Sequence, residues 1–124
     1  MTSRPEPQLT IYEKRTCTTC RKLAQLLQDR GIDFDRVEYQ VSGLSEAELR
    51  DLLRKLDSGP YAILRMREPL VKELGLDDPN NHTDDELIAL MVEHPQLMQR
   101  PIVVRGDRAV LARPVERVLD LLDD

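Results

Sequence analysis

The order of hydrophobic periods at the start of the chain is the feature that most constrains its fold. Leu9–Tyr12 is a short apolar run, typical of a β-strand. After Cys17 the apolar residues recur at the spacing of one helix face, namely at Cys20, Leu23, Ala24, Leu26 and Leu27. Gly31 follows where a helix C-terminus is expected, and residues 35–41 alternate between apolar and polar side chains, as a strand does. The opening therefore predicts a βαβ unit.

The middle of the chain is predicted to be helical. Segments 45–48 and 83–86 both have the Ser/Thr-x-x-Glu spacing of a helix capping box, and each leads into an apolar stripe. Between them, residues 61–76 are predicted to form short helices that Pro69 and Gly75 interrupt.

The end of the chain returns to strand periodicity. Two apolar runs, 102–104 and 109–111, flank the turn-like residues 105–108, which is typical of a β-hairpin. Pro114 is expected in the first turn of a terminal helix whose apolar face carries Val115, Val118, Leu119 and Leu122. The whole order predicts an α/β, thioredoxin-like fold: βαβ and ββα around a mixed four-stranded sheet, with a helical insertion in the middle. We expect a single domain over residues 9–124 after a flexible leader at residues 1–8.

Charge and hydropathy argue against two classes of partner. Lys and Arg number 18 against 23 Asp and Glu, with a formal net charge of −5, one Phe and no Trp. Direct nucleic-acid binding is not expected, since such proteins usually carry a basic surplus and stacking aromatics. No apolar run approaches the roughly 20 residues of a membrane span, and residues 1–8 lack the apolar core of a signal peptide. We therefore expect a cytoplasmic protein without membrane contact. We also expect it to be a monomer.

Cys17 and Cys20 lie at the predicted strand-to-helix junction. In a reducing compartment such a close pair favours redox or metal chemistry over a structural bridge. Unpaired backbone N–H groups and the helix dipole stabilise a thiolate at this position, so Cys17 is the expected nucleophile with a lowered pKa. Cys20 is one turn further on, where it can resolve a mixed disulfide on Cys17. It also falls on the apolar face, so a packing role fits its position as well.

Metal binding is not expected. His82 and His94 are the only other soft ligands, and they are too far apart along the chain for a two-Cys, two-His zinc site. They are predicted to be a loop residue and a residue at a helix C-terminus.

Three arginines each adjoin a break in the predicted structure: Arg65, Arg100 and Arg113. Arg100 precedes Pro101, at the position where thioredoxin-like folds place a cis-proline opposite the active-site helix. If the three converge on Cys17, their guanidinium groups would bind a tetrahedral oxyanion. Spacing alone does not distinguish this arrangement from three solvated surface arginines.

Ordered motifs give the chain a family resemblance over residues 9–122. They are Cys-x-x-Cys-Arg at 17–21, Leu-Arg at 64–65, Glu-Pro-Leu at 68–70, Glu-Leu-Gly-Leu at 73–76, Thr-Asp-Asp-Glu-Leu-Ile at 83–88, His-Pro at 94–95, Arg-Pro-Ile-Val-Val at 100–104 and Arg-Pro at 113–114. With these the chain resembles the arsenate reductase (ArsC) family of the glutaredoxin-linked type and its Spx-like regulatory relatives. The resemblance implies that Arg65, Arg100 and Arg113 hold an oxyanion around Cys17. It also implies no bound cofactor, glutathione as co-substrate, and glutaredoxin or glutathione as partner.

Two departures from the reductase pattern keep alternatives open. Glu13 replaces the histidine of the usual His-Asn-Pro-x-Cys lead-in, and a nearby carboxylate would raise the pKa of Cys17. Cys20 stands where these reductases commonly have Ser, which is similar to the Spx branch. The predicted function is a thiol-dependent oxidoreductase resembling arsenate reductase, with Cys17 attacking an oxyanion or a disulfide. The alternatives are a redox-sensing regulator that binds RNA polymerase and a general glutathione-dependent thiol reductase.

Overall fold

The computed structural model describes residues 9–122, which divide into two compact units. Residues 9–38 and 100–122 form the first unit, and residues 39–99 form the second. The predicted leader at 1–8 and the last two residues lie outside the described part of the chain, and the single domain over 9–124 stays a prediction. Within residues 9–122 no helix is long and apolar enough to cross a membrane.

The helices and strands follow one another as the periodicity predicts, with two local exceptions described below. In chain order they are β1 (Leu9–Tyr12), α1 (Thr18–Asp29), β2 (Phe34–Val37), α2 (Tyr39–Ser42), α3 (Glu46–Leu56), α4 (Pro69–Glu73), α5 (Asp84–Glu93), β3 (Ile102–Arg105), β4 (Arg108–Leu111) and α6 (Leu119–Leu122). Short 3₁₀ helices occupy Pro60–Ile63, Pro79–Asn81, Pro95–Leu97 and Val115–Val118.

The first unit contains the predicted mixed four-stranded sheet, in the order β2-β1-β3-β4. β1 runs parallel to β2 and antiparallel to β3, and β3 pairs with β4 as the predicted hairpin. Its core is apolar and fully enclosed, built from Leu9, Ile11, Leu23, Leu27, Val103, Ala112, Val118 and Leu121. The strands supply alternate residues and α1 supplies one face, as amphipathic elements require. This is the predicted thioredoxin-like α/β fold.

The second unit is the predicted helical insertion. Both predicted capping boxes are present. Ser45 and Glu48 exchange side-chain and backbone hydrogen bonds at the N-terminus of α3. Thr83 and Glu86 do the same at the N-terminus of α5. Pro69 begins α4 instead of interrupting a helix, because the first helical turn does not need its missing N–H. Gly75 follows α4 with a φ of +68°, a conformation that favours glycine.

The predicted strand over residues 35–41 is wrong beyond Val37. The ladder with β1 ends at the Tyr12–Val37 pair, so the chain has no partner strand there. Tyr39 is fully buried, and its hydroxyl donates to the Met98 carbonyl at 3.0 Å, while Val41 is 84% exposed. The chain therefore turns into α2 at Tyr39. Tyr39 and Val41, which the alternation predicted on one face, are respectively buried and exposed to solvent.

The predicted terminal helix is also different in detail. Pro114 is extended and precedes a 3₁₀ helix, and α6 begins only at Leu119. The four residues of the predicted apolar face, Val115, Val118, Leu119 and Leu122, all belong to or pack against the core, and Leu121 is buried in it as well.

Candidate active site

Cys17 is the residue that caps the N-terminus of α1. Its backbone is extended, with φ −75° and ψ 124°, and its Sγ accepts a hydrogen bond from the Cys20 N–H at 3.4 Å. Cys17 is half-buried, whereas Cys20 is 1% exposed. The sulfur of Cys17 therefore lies where the helix N-terminus offers an N–H donor and a positive dipole end.

The surroundings of Cys17 favour its thiolate. Burial is the largest single influence and opposes ionisation. Hydrogen bonds from the side chain and the backbone of Cys20, followed by a hydrogen bond and the positive charge of Arg100, outweigh it and lower the pKa of Cys17. The expected direction of this shift is thus found, although Arg100 contributes as well as the helix start.

Cys20 is shifted in the opposite direction. Burial and then its hydrogen bond to Cys17 raise the pKa of Cys20 to about 12, and the negative charge of Glu13 adds to the increase. Glu13 was expected to act on Cys17, but its charge acts on the second thiol, and the pKa of Cys17 is lowered. The surroundings therefore favour a thiolate at Cys17 and a thiol at Cys20.

Arg100 and Arg113 belong to the same unit as Cys17. Arg100 is 8% exposed, and its Nε has no hydrogen-bond partner among residues 9–122. Arg113 Nη1 donates to the Arg100 carbonyl at 2.9 Å, and the Arg100–Pro101 peptide bond is cis, as predicted. The Arg113–Pro114 bond is cis too, which was not predicted. A buried guanidinium with a donor to spare thus lies beside the Cys17 sulfur.

Arg65 belongs to the second unit. Its backbone N–H donates to the Leu97 carbonyl at 2.8 Å, directly after the antiparallel bridge between Leu64 and Met98. Its convergence with the other two arginines on Cys17 stays a prediction.

His82 and His94 occupy the positions that were predicted for them. His82 lies in a loop, with Nε2 3.1 Å from the Leu76 carbonyl oxygen and its ring stacked on Tyr61. His94 ends α5.

Glu13 is a residue of this region whose burial was not predicted. It follows β1 directly and is only 3% exposed; its N–H donates to the Val37 carbonyl, and its Oε2 lies 3.6 Å from Arg36 Nε. Burial raises the pKa of Glu13, and the charge of Arg36 opposes that increase. The signal was present in the sequence, because the alternation of Leu9 and Ile11 places Glu13 on the same buried face.

A thioredoxin-like sheet with a cysteine of lowered pKa at the start of its first helix defines a thiol-dependent oxidoreductase. Comparison with known proteins identifies the family. The ArsC family model matches residues 12–121 of this chain, which therefore belongs to the ArsC family.

Relatives and solved structures agree with this assignment. The chain is 34% identical to an arsenate reductase of Neisseria meningitidis, covering 90% of this chain and 96% of that protein. It is 37% identical to the uncharacterised protein YfgD of Escherichia coli, covering 93% and 97% of the two chains. The structure of an arsenate reductase from Vibrio cholerae superposes with a TM-score of 0.85 at 38% identity, over 90% of this chain and 95% of that one. These matches favour the oxidoreductase over the regulatory alternative.

Proposed function

We propose that the protein reduces arsenate, with Cys17 as the nucleophile and glutathione as the source of electrons. The observation that carries the proposal is the Arg100 guanidinium, which places a hydrogen-bond donor and a positive charge beside the Cys17 sulfur. A planar guanidinium next to the nucleophile is suited to hold a tetrahedral anion that the sulfur attacks. Arsenate is the substrate in the names of the Neisseria and Vibrio relatives.

The proposed reaction proceeds in three steps. The Cys17 thiolate attacks arsenic, and one arsenate oxygen leaves as water after protonation, so that an Sγ–As bond forms on arsenic(V). A glutathione thiolate then attacks Cys17 Sγ; the S–As electron pair stays with arsenic, which leaves as arsenite. A second thiol reduces the resulting mixed disulfide and restores Cys17. In sum, arsenate and two glutathione thiols give arsenite, water and glutathione disulfide.

The arginines and the reducing partner complete the proposal. Arg100, Arg113 and Arg65 would hold the anion, and no bound cofactor is needed because the electrons come from thiols. Family membership agrees in general with a glutathione- or glutaredoxin-linked reducing system, and we propose glutaredoxin as the protein that resolves the mixed disulfide. The cycle requires Cys17 as a thiol, so we propose that it takes place in the reducing cytoplasm.

A coupled assay tests this function. Purified protein with arsenate, glutathione, glutaredoxin, glutathione reductase and NADPH should consume NADPH in an arsenate-dependent manner. Cys17→Ser should abolish this activity, because a hydroxyl does not form the thiolate nucleophile. Turnover of a small disulfide without any arsenate-dependent turnover would replace arsenate reduction by general thiol reduction. If neither substrate turns over and RNA polymerase is captured, the protein is a regulator.

A further inference from the structure

A buried carboxylate lies behind the cysteine pair, and the reaction proposed above does not use it. We infer that Glu13 is the proton acceptor for Cys20 when the Cys20 sulfur attacks a mixed disulfide on Cys17. The inference rests on the thiol–disulfide part of the proposed function and does not depend on arsenate as the substrate.

Glu13 and Cys20 share the wall of one cavity in the first unit, with a volume of about 310 Å³. Its lining residues are Glu13, Arg15, Thr16, Cys20, Arg21 and Arg36. Arg15, Thr16 and Arg21 are exposed, so the cavity opens to solvent on that side. A cavity of this size with polar walls accommodates water, which can relay a proton between the two buried groups.

Burial of the Glu13 carboxylate lowers the stability of the folded protein. Its Oε2 faces Arg36 at 3.6 Å, which is longer than a direct hydrogen bond, and its Oε1 is buried without a hydrogen-bond partner in the described chain. A buried polar atom without a partner is unfavourable, and such groups in native proteins call for an explanation. A proton-accepting role supplies one, because protonation of the carboxyl group removes the charge that this buried, unpartnered oxygen shares.

Cys20 needs such a base. While Cys17 is free, the pKa of Cys20 is about 12; burial, the largest cause, persists when Cys17 carries the mixed disulfide, so Cys20 is still a protonated thiol when it has to attack. Burial raises the pKa of Glu13 above the ordinary value of a glutamate, and a base works best when its pKa approaches the operating pH. Burial therefore makes Glu13 a stronger base than an exposed glutamate.

The step balances as follows. The Cys20 S–H proton passes to the Glu13 carboxylate as the Cys20 sulfur attacks Cys17 Sγ. A Cys17–Cys20 disulfide forms, and the bond between Cys17 Sγ and the external sulfur breaks, with its electron pair leaving on the external thiolate. Glu13 then returns its proton to that thiolate or to solvent through the open side of the cavity.

Whether Glu13→Gln slows or accelerates disulfide closure distinguishes proton transfer to Glu13 from the effect of its charge alone. Without a base role, the negative charge of Glu13 only hinders ionisation of Cys20, so Glu13→Gln would make Cys20 more acidic and accelerate disulfide closure. As a proton acceptor, Glu13 is required, and Glu13→Gln slows closure.

An aromatic disulfide whose thiolate is coloured, 5,5′-dithiobis(2-nitrobenzoate), provides the measurement without arsenate. Attack by Cys17 releases a first equivalent of the coloured thiolate, and closure by Cys20 releases a second. Cys20→Ser should lose the second phase and thereby identify it. Glu13→Gln should leave the first phase within about twofold of the parent and slow the second by at least about tenfold at neutral pH, since a general base typically contributes 10²–10⁴-fold.

The matched control is Glu38→Gln, which removes the same charge from a neighbour whose own charge also acts on Glu13 and which pairs with Arg15. Both phases of this variant should stay within about twofold of the parent. Glu13→Asp keeps a carboxylate and should restore part of the closure rate. A second phase that is unchanged or faster in Glu13→Gln overturns the inference, whatever the result with arsenate.

The pH profile provides an independent readout on the parent protein. The charged and titratable groups that face Glu13 come from three places. Arg36 lies in β2 and Glu38 directly after it, Arg15 lies in the turn between β1 and α1, and Cys20 and Arg21 lie in α1. With Glu13 as the base, the closure rate rises as Glu13 ionises and levels off below the pKa of Cys20. A rate that climbs tenfold per pH unit through neutral pH would show that hydroxide removes the proton, and it would overturn the inference even if Glu13→Gln does not fold.

Discussion

Replacing Arg100 with glutamine should weaken oxyanion binding beside Cys17 by roughly tenfold to a hundredfold. The substitution removes the positive charge and a charge-assisted hydrogen bond, which contributes about 1.5–3 kcal/mol. Because Arg100 is almost fully buried, solvent screens its charge less than that of a surface arginine. Arg100→Lys keeps the charge but loses the planar fork, so it should recover only part of the affinity.

Protection of Cys17 from alkylation by sulfate or arsenate gives the affinity directly. The labelling rate of the Cys17 peptide, followed by mass spectrometry against anion concentration, yields a dissociation constant for each variant. Arg30→Gln is the matched control, because it removes an exposed arginine at the other end of α1. At 1.5 Å per residue that end is about 18 Å away, roughly two Debye lengths at physiological salt. If Arg100→Gln and Arg30→Gln bind the anion equally well, Arg100 does not hold the anion beside Cys17.

Three further outcomes are expected. The lowered pKa of Cys17 keeps its thiolate present below the ordinary thiol pKa, so the rate at which Cys17 is alkylated should fall only as the pH drops through that lowered value. Cys20 should be alkylated only after unfolding, and equal labelling of the two cysteines in the native protein would contradict the assignment of Cys17 as the reactive thiol. Tyr39→Phe should reduce the free energy of unfolding by about 1–3 kcal/mol in urea denaturation, because the buried Met98 carbonyl loses its donor. Val41→Thr, on the exposed side of α2, should change it by less than about 0.5 kcal/mol, and equal effects would contradict the buried position of Tyr39. Ser45→Ala should cost about 1 kcal/mol by the same assay through loss of the α3 cap, and an unchanged denaturation midpoint would show that the cap does not contribute.

The sheet and the two capping boxes were predictable because their signals are local. Alternation in Leu9–Tyr12, the helical period after Cys17 and a hairpin turn at residues 105–108 are each contained in a few neighbouring residues. Once two parallel strands and a hairpin are required in one sheet, few topologies remain. The observed order β2-β1-β3-β4 is one of these.

The end of β2 was not predictable in the same way. Residues 35–41 alternate as a strand would, but alternation does not show where the neighbouring strand stops. Tyr39 belongs to the second unit, where its hydroxyl donates a hydrogen bond to the carbonyl of Met98, far along the chain. A tertiary contact of this kind overrides the local preference for a strand. The 3₁₀ turn before α6 is a similar case, because the apolar spacing of Val115 and Val118 fits both kinds of helix.

The candidate site was predictable in its residue types but not in its environments. The position of Cys17 at the helix start follows from the change of period, and the cis-proline after Arg100 follows from the fold. The burial of Glu13 depends on β1 continuing its alternation one residue beyond the apolar run. Its effect on Cys20 instead of Cys17 depends on which way the helix turns, which is a property of the three-dimensional arrangement.

The opposed pKa shifts of the two thiols impose an order on the reaction. Two titratable groups that their surroundings drive apart are thereby assigned to different steps. The thiolate of Cys17 is available first, and both its charge and its hydrogen bond hold Cys20 in the protonated form. When Cys17 becomes covalently bound to an external sulfur, its negative charge disappears, and with it two of the influences that raise the pKa of Cys20. The second thiol is therefore easier to deprotonate only after the first has reacted, which is also when a disulfide is present for it to attack.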